Sequence, residues 1–580
     1  MPISNEMSGG LKGQIETEIN QYLTTTVSVG ETAKYSQNKL VQRINLFATQ
    51  TYPNGKFDSQ GAYKFWYEVI APRIDSEVKN IDFDTKDISV YSERKIDELP
   101  VIITNLKIKD YLRETGQAEE INSAIEEGSG WGNVVWKKVA GGYERVDLKN
   151  FFVINQTAKS LKDSPAIERH EFSQSDLQAK EKSWDNIKEV TEECKSLTSK
   201  LTLQDQEVTT TTPKYDIYER NGEVCLKDLK ETNGETVLDG DENKYTLAKV
   251  IGVGTKGNST GVSIQYIMYA QKISETPYEE YHRSRYQGTW WRKGLYELLF
   301  DIQVRCNQIG NQISRGLEFA SKKVLWSPDK LIVQNIINDI NNGDIIRTTG
   351  LHGVDLRMDG FDQLAAEWNR LIALANEIAN SREIVQGDAM PSGTPFRLGA
   401  LYNQNANKLF DFIREKLAIP FSVMFEKWII PELVKDIKAK DILRLTGDSD
   451  MMVRLYEVVV NSWYIDNLIS LPPHTNEMAV MLKQQQMDLL KKRPQLLMKG
   501  VSALFEDFKP HACVVISGEN SNKGTELDSY NTFIQLESDP IRRSYLVELA
   551  MKRVGIDVAS LPRSTPEQLA GVVPQQTKVV

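Results

Sequence analysis

Cysteine is scarce in this chain: four residues in 580, at positions 194, 225, 306 and 513, with no CxxC pair among them. That spacing excludes a disulfide scaffold and a zinc ribbon, and fits a reducing compartment. Histidine is almost as rare. The five (His170, His282, His352, His474, His511) never recur at i, i+4 and have no cysteine close by, so no metal site is expected. No apolar run approaches the ~18–20 residues of a membrane span; the longest are short pieces such as Met478–Leu482. Met1–Gly10 lacks the basic-then-apolar layout of a signal peptide, so export is not expected. Positive charge is not in surplus either: 70 Lys+Arg against 80 Asp+Glu leave a net −10. That balance argues against a tight, non-specific duplex binder.

What remains is ordinary globular composition, 40% hydrophobic and 26% charged, long enough for three or four structural units. The spacing predicts a helix over 31–50, ended by Tyr52-Pro53-Asn54-Gly55. A piece over 65–81 is interrupted by Pro72, and a charged helix follows over 107–127. From Gly128 the period shortens. Runs 131–139 and 143–153 form a hairpin around Gly141-Gly142, and 173–200 is helix-prone. Strands at 214–220, 223–229, 245–251 and 262–270 are separated by Asn-Gly and Asp-Gly turns, the first at Asn221-Gly222.

Two longer helices stand out. Leu295, Leu299, Ile302, Cys306, Ile309, Ile313, Leu317 and Ala320 mark one over 291–323. Leu364, Trp368, Leu371, Ala375 and Ile378 mark another from 362 to about 384. Between them lies a glycine-containing stretch, 324–358, with strand-like pieces at 344–348 and 354–358. A breaker-rich loop, 386–399, leads to a third helix, 401–417, stopped or kinked at Pro420. Helices over 451–468 and 477–490, a strand at 512–517 and two short helices (531–536, 542–554) precede a Pro/Gln-rich tail.

Few motifs carry chemistry. Gly252-Val253-Gly254-Thr255-Lys256-Gly257 fits GxGxxG after a strand, but another strand follows where a dinucleotide site needs a helix. Lys272 suits a kinase glycine loop, yet the HRD and DFG triplets are missing, and Asn258 stands where a Walker A loop needs lysine. The reading is a surface hairpin. Asp239-Gly240-Asp241-Glu242-Asn243 opens like a calcium loop but has Lys244 and Val250 at the sixth and twelfth positions, so a solvated acidic turn is expected. Asp82, Asp84 and Asp87 carry only a weak magnesium pattern. No cofactor and no catalytic residue are assigned, and the chain reads as non-enzymatic.

The order helix, glycine-containing β insert, helix, Gly/Pro loop, kinked helix resembles the portal proteins of tailed bacteriophages. The likeness rests on the stretch from Ala389-Met390-Pro391-Ser392-Gly393-Thr394-Pro395-Phe396-Arg397 to Asn403, Asn405 and Ala406. It rests also on residues 127–177, with Gly128-Ser129-Gly130-Trp131-Gly132 read as a glycine-rich hairpin, and on Ile70-Ala71-Pro72-Arg73-Ile74-Asp75. It covers roughly residues 60–440 and is similar to the podovirus type, with the crAss-like gut phages as the subgroup.

The resemblance implies an α+β subunit with long stem helices, a β-rich wing, a small α/β clip and a helical C-terminal crown. The wing would be 1–290 and 400–480, the stem helices 291–323 and 359–385, the clip 324–358, the tunnel loop 386–399 and the crown 481–580. It implies a dodecameric ring at one capsid vertex of the virion, assembled in the host cytoplasm. Double-stranded DNA would pass through it during packaging and ejection. Its partners would be the terminase large subunit, the head–tail adaptor or tail proteins, and the major capsid protein. Glu377, Asn380, Glu383, Ser392, Thr394 and Arg397 are expected to face the passage, and Asp329, Lys330, Asn335 and Asn338 to form the docking face of the clip. A mixed or acidic wall keeps a duplex mobile, because each neutralised phosphate strengthens attachment. The paired helices are expected to gain their burial from neighbouring copies. Two other readings are an adaptor or capsid-stabilising virion protein, and a nucleotide-binding enzyme using Gly252–Gly257.

Overall fold

A computed structural model describes residues 3, 9–24, 26–28, 34–57, 61, 63–81, 88–92, 98–193, 198–203, 206–256, 261–321, 324–326, 352–354, 360–380, 396–435, 449–467, 476–493, 508, 511–514, 533–535, 543 and 547. Residues 1–515 form one compact unit and 516–580 a second. The first unit is an α+β structure.

Helices α1 (Gly9–Thr24), α2 (Gln37–Ala48), α3 (Ala71–Ile81), α4 (Glu98–Glu114) and α5 (Gln117–Trp131) come first, with two-residue strands β1 (Val27–Ser28) and β2 (Lys34–Tyr35) and strand β3 (Ile88–Tyr91) between them. The single helix expected over 107–127 is thus two, parted at Gly116, which takes a left-handed conformation (φ 65°). Pro72 sits in the first turn of α3, where a missing N–H costs nothing.

The expected glycine-rich hairpin at Gly128–Gly132 is the end of α5. Gly132 caps it at φ 86°, and a side chain there would meet the Arg292 carbonyl at 2.4 Å. Glycine is needed both for the conformation and for the space.

Strands β4 (Asn133–Val139) and β5 (Gly142–Arg145) do form a hairpin, and later β12 (Tyr278–His282) completes that sheet. The main sheet joins β6 (Phe151–Val153), β7 (Ala166–Ser173), β9 (Gln206–Cys225), β10 (Tyr245–Lys256) and β11 (Val262–Lys272) in the order β11-β10-β9-β7-β6, with β8 (Thr198–Leu203) beside β9. Its pairings are antiparallel. Short helices α6 (Gln174–Ala179) and α7 (Ile187–Glu193) cover one face through Leu177, Ile187 and Val190. Leu11, Ile15, Ile19 and Tyr22 of α1 cover the other, a spacing that puts all four on one helix face. Burial on both faces leaves little alternation for sequence to show.

The expected turn at Asn221-Gly222 does not exist. Both lie inside β9, with Asn221 only 1% exposed, and a side chain at Gly222 would meet Pro165 at 2.8 Å. Close approach, not a turn, requires this glycine. Residues 226–232 form helix α8 (Leu226–Thr232) in place of the end of the strand expected over 223–229.

Helix α9 (Leu295–Ser321) and helix α10 (Phe361–Ile378) are the two expected long helices. The second is shorter than expected: it caps at Ala379, and Asn380 takes φ 50°, a stop that asparagine tolerates better than most residues. Strands β13 (Val324–Trp326) and β14 (His352–Val354) pair antiparallel at their ends. Helix α11 (Phe396–Met424) runs through Pro420, where a stop or kink was expected; it continues into a π turn, Phe425–Ile429, and helix α12 (Ile430–Lys435). Phe421 packs on Trp136 at 5.1 Å between ring centres and Phe425 on Tyr143 at 6.4 Å. This packing holds the helix across the hydrogen bond that proline forfeits. Helices α13 (Ser449–Asn467) and α14 (Asn476–Lys492) follow expectation closely. Strand β15 (His511–Val514), expected in the crown, pairs with β3.

The helix pair also corrects an expectation about burial. Leu295, Leu299, Ile302, Cys306 and Ile309 are buried within the chain itself, against Val41, Ile44, Phe47, Val69, Ile70 and Ile74. Only farther along does the stripe emerge, with Ile313 half-buried and Leu317 58% exposed. Cys306 is packed core.

Candidate functional site

The α9–α10 pair is braced by an extended segment, residues 64–70, that runs along α9. Gln303, Asn307 and Asn311 recur at i, i+4 and i+8, and their side-chain oxygens accept from the backbone N–H groups of Val69, Tyr67 and Phe65, each at 2.9 Å. The amide nitrogens of Gln303 and Asn311 donate back to the carbonyls of Tyr67 (2.6 Å) and Phe65 (3.0 Å). Four helical residues rise about 6 Å and two strand residues about 6.6–6.8 Å, so the two spacings match. The helix face thus acts as a surrogate strand edge.

The flanking positions on the same face are Leu299 and Arg315, neither of which can accept an N–H. The register is therefore pinned. Tyr67 lies between the two helices, donating its hydroxyl to the Gly310 carbonyl at 3.2 Å and meeting Trp368 edge-on at 5.3 Å. A side chain at Gly310 would come within 2.5 Å of the Tyr67 ring. Farther along, Arg73 donates to the Val69 carbonyl and to Asn376 of α10, both at 2.7 Å.

Before this segment the chain makes an excursion over residues 51–63, turning at Gly55 and closing where the Lys64 N–H donates to the Lys56 carbonyl at 2.8 Å. Phe57, Tyr63 and Phe65 stand on it 61%, 51% and 51% exposed, edge to face at 5.8 and 5.4 Å. Beside them lies a cleft of about 600 Å³ lined by Phe47, Tyr52 and Trp66 together with Arg43, Lys64 and Arg315.

A second constellation is closed. Glu168 of β7 and Glu219 of β9 are directly opposed in the sheet register, a pairing that repels unless a cation intervenes. Lys137 of β4 supplies it from the other sheet, at 2.7 Å from Glu168 and 2.8 Å from Glu219. Lys249 reaches Glu219 at 2.9 Å, and Asn221 donates to Glu219 at 3.0 Å and to the Tyr278 hydroxyl at 2.9 Å. Burial alone would raise the Glu219 carboxyl, but the two ammonium groups hold it down at about 2. Burial opposes the charge on Lys137, and Glu219 and Glu168 raise its pKa above the usual lysine value. Burial lowers His170, with Glu168 working against it and Lys137 with it.

The ligand atoms of Glu168, His170 and Glu219 converge within 4.8 Å. A metal ion would compete there with an ammonium already between the carboxylates. The chemistry of the set is that of an internal ion pair joining two sheets. Sequence reading missed it, although Glu168 and His170 at i, i+2 in a strand share one face.

The glycine motif is no phosphate cradle: Gly252 and Gly254 lie within β10, at irregularities in its pairing with β11. The expected hairpin is there, with Lys256 opposite Val262, but these two glycines lie in its first strand and not on its turn, and Gly257 lies outside the described residues. A side chain at Gly254 would meet Tyr218 at 2.6 Å, so a packing requirement accounts for this glycine. Asp241 is not solvated as expected. It is 1% exposed, accepting from the Leu238 N–H at 2.8 Å and pairing with Lys230 at 3.2 Å.

Of the expected passage residues, Glu377 is exposed on α10 and Asn380 is half-buried just past its end. Arg397 lies in the first turn of α11, outside the described side chains. Glu383, Ser392 and Thr394, and Asp329, Lys330, Asn335 and Asn338, lie outside the described residues, as do Asp82, Asp84 and Asp87. Among the described residues no helix is long and apolar enough to cross a membrane. The chain matches no known protein family and no curated protein.

Proposed function

We propose that this chain is a portal subunit: one copy of a closed ring at a capsid vertex, through which double-stranded DNA enters and leaves. The observation that carries the reading is the α9–β13–β14–α10 unit. Two long helices, closed at one end by a small antiparallel pair, are buried in the body at one end and carry exposed apolar and polar side chains beyond it. Such a unit suits side-by-side tilting around an axis, with Leu317, Leu374 and neighbouring positions available to adjacent copies.

The charge on α10 suits a passage as well. Asp362 and Glu377 are exposed, and Arg370 is paired with Glu367 at 2.7–2.8 Å, so among the described residues α10 offers phosphates no unpaired basic side chain. Asn380, Ser392, Thr394 and Arg397 would touch the duplex, and the 327–351 segment would present Asp329, Lys330, Asn335 and Asn338 to terminase and then to the adaptor. The role is structural and conducting, and nothing in the Lys137 network or the β10 glycines favours a catalytic one.

Negative-stain imaging of the purified full chain tests the reading. Rings with an axial hole are expected. A uniformly monomeric or globular particle would overturn it, and charge reversal at Asp329 and Lys330 should impair packaging while leaving rings intact.

A further inference from the structure

We infer that the aromatic arm carrying Phe57, Tyr63 and Phe65 is one half of a head-to-tail contact whose other half is the outer stripe of α11 on a neighbouring copy. The inference rests on the ring reading and assigns its contact surfaces. Three features of the arm point to a partner.

First, its backbone is fixed while its rings are free. Phe65 gives both its N–H and its carbonyl to Asn311, and Phe57 bridges to Tyr63 across the excursion. The aromatic side chains are thereby presented to solvent on a rigid support. Rigid aromatic anchors bind at low entropic cost and dominate interface energies. Secondly, three large rings in contact form a continuous apolar patch, which scattered surface residues do not. Thirdly, the patch is rimmed by positive charge: among the described residues neither Lys56 nor Lys64 forms an ion pair, and Lys64 lies 4.9 Å over the Tyr52 ring.

The same chain carries the complement. Helix α11 buries Ile413, Arg414, Leu417 and Ala418 on its inner side. It leaves Phe412 (53% exposed), Glu415 and Ile419 (64% exposed) on one outer stripe at i, i+3 and i+7. Lys416, half-buried beside the stripe, donates to the Arg283 carbonyl at 3.0 Å and holds its ammonium 5.2 Å over the Phe412 ring. The exposed members of the stripe are two large apolar groups and, between them, the Glu415 carboxylate. An aromatic–basic surface and an apolar–acidic surface on one chain make a heterologous pair, the type that generates rings when the rotation closes. The second copy is the occupant that this complementarity selects, with Lys64 facing Glu415.

The test uses the full chain. Lys64→Glu and Glu415→Lys should each weaken assembly about tenfold or more, and the double reversal should restore it, because like charges replace an opposed pair. Phe65→Cys combined with Ile419→Cys should give covalent multimers on oxidation, whereas each single variant should not. Phe65, Glu415 and Ile419 are exposed and Lys64 is half-buried over the Tyr52 ring, so the thermal transition checks that each variant folds. If the unaltered chain forms rings and the variants form them equally well without cross-linking, the contact is wrong while the ring reading stands, and the arm belongs to a different protein. If the unaltered chain never assembles, both fall.

Discussion

Around Lys137 the carboxylates of Glu168 and Glu219 meet cations inside the protein, whereas on the arm beside α9 three aromatic rings and Lys56 stand in solvent, with Lys64 half-buried over Tyr52. The first region is closed: its charged groups pair with one another across two sheets, inside the chain. The second is held by Gln303, Asn307 and Asn311, which bind its backbone at residues 65, 67 and 69 and leave the rings of Phe57, Tyr63 and Phe65 outward. The difference shows that rigidity and completeness are separate properties. A region built to fold alone consumes its functional groups, and a region built to assemble orders them and leaves them outward.

Lys137→Met breaks the closed region and should have the largest effect. Two buried carboxylates lose their shared cation, a loss of about 3–5 kcal/mol, visible as a lower denaturation midpoint by tryptophan fluorescence. Adding Glu168→Gln and Glu219→Gln should recover much of it; a loss under ~1 kcal/mol would show that the network carries little.

The same network fixes an acid limb. Glu219 titrates at about 2 in the folded protein against an ordinary 4.5. Its contribution is therefore whole above pH 4.5 and is lost as pH falls toward 2. Urea midpoints should drop over that window, and Glu219→Gln should flatten the drop; parallel curves would contradict the assignment.

Turning to the open region, Gly310→Ala drives a methyl into Tyr67 and should cost about 1–3 kcal/mol by overpacking, loosening α10 from α9. Limited proteolysis near residue 360 reports it, and unchanged cleavage would mean that Tyr67 does not set the spacing.

Asn307→Leu is the mildest break, about 1 kcal/mol for one rung. Hydrogen exchange should accelerate at the Tyr67 amide and at its neighbours 65 and 69, with the Lys137 region unaffected. If protection there is retained, the ladder is not what holds the segment.

Much of the helical framework was legible in sequence because its stripes are long and periodic: α9, α10, α13 and α14 lie close to where their apolar spacing puts them. The failures have particular causes. Asn221-Gly222 reads as a turn because sequence cannot show that Pro165 needs the space a side chain would fill. Pro420 reads as a break because the compensating contacts, Phe421 on Trp136 and Phe425 on Tyr143, are made with residues nearly three hundred positions away. The amide ladder was visible as a Gln/Asn spacing of four, yet its partner is a backbone, which leaves no trace in side-chain identity. Lys137, Glu168 and Glu219 come from three strands, and only the sheet register brings them together. The passage and clip residues rest on family likeness, and only Glu377 and Asn380 of those ten have described side chains.

On the portal reading, copies of this chain join through unlike surfaces and close on themselves. Mass photometry of the full chain over a wide dilution series tests that most directly. One species at a fixed multiple of 65.9 kDa, persisting on dilution, is the predicted result. A lone 65.9 kDa particle, or an unbroken series of ever-larger sizes, would contradict it.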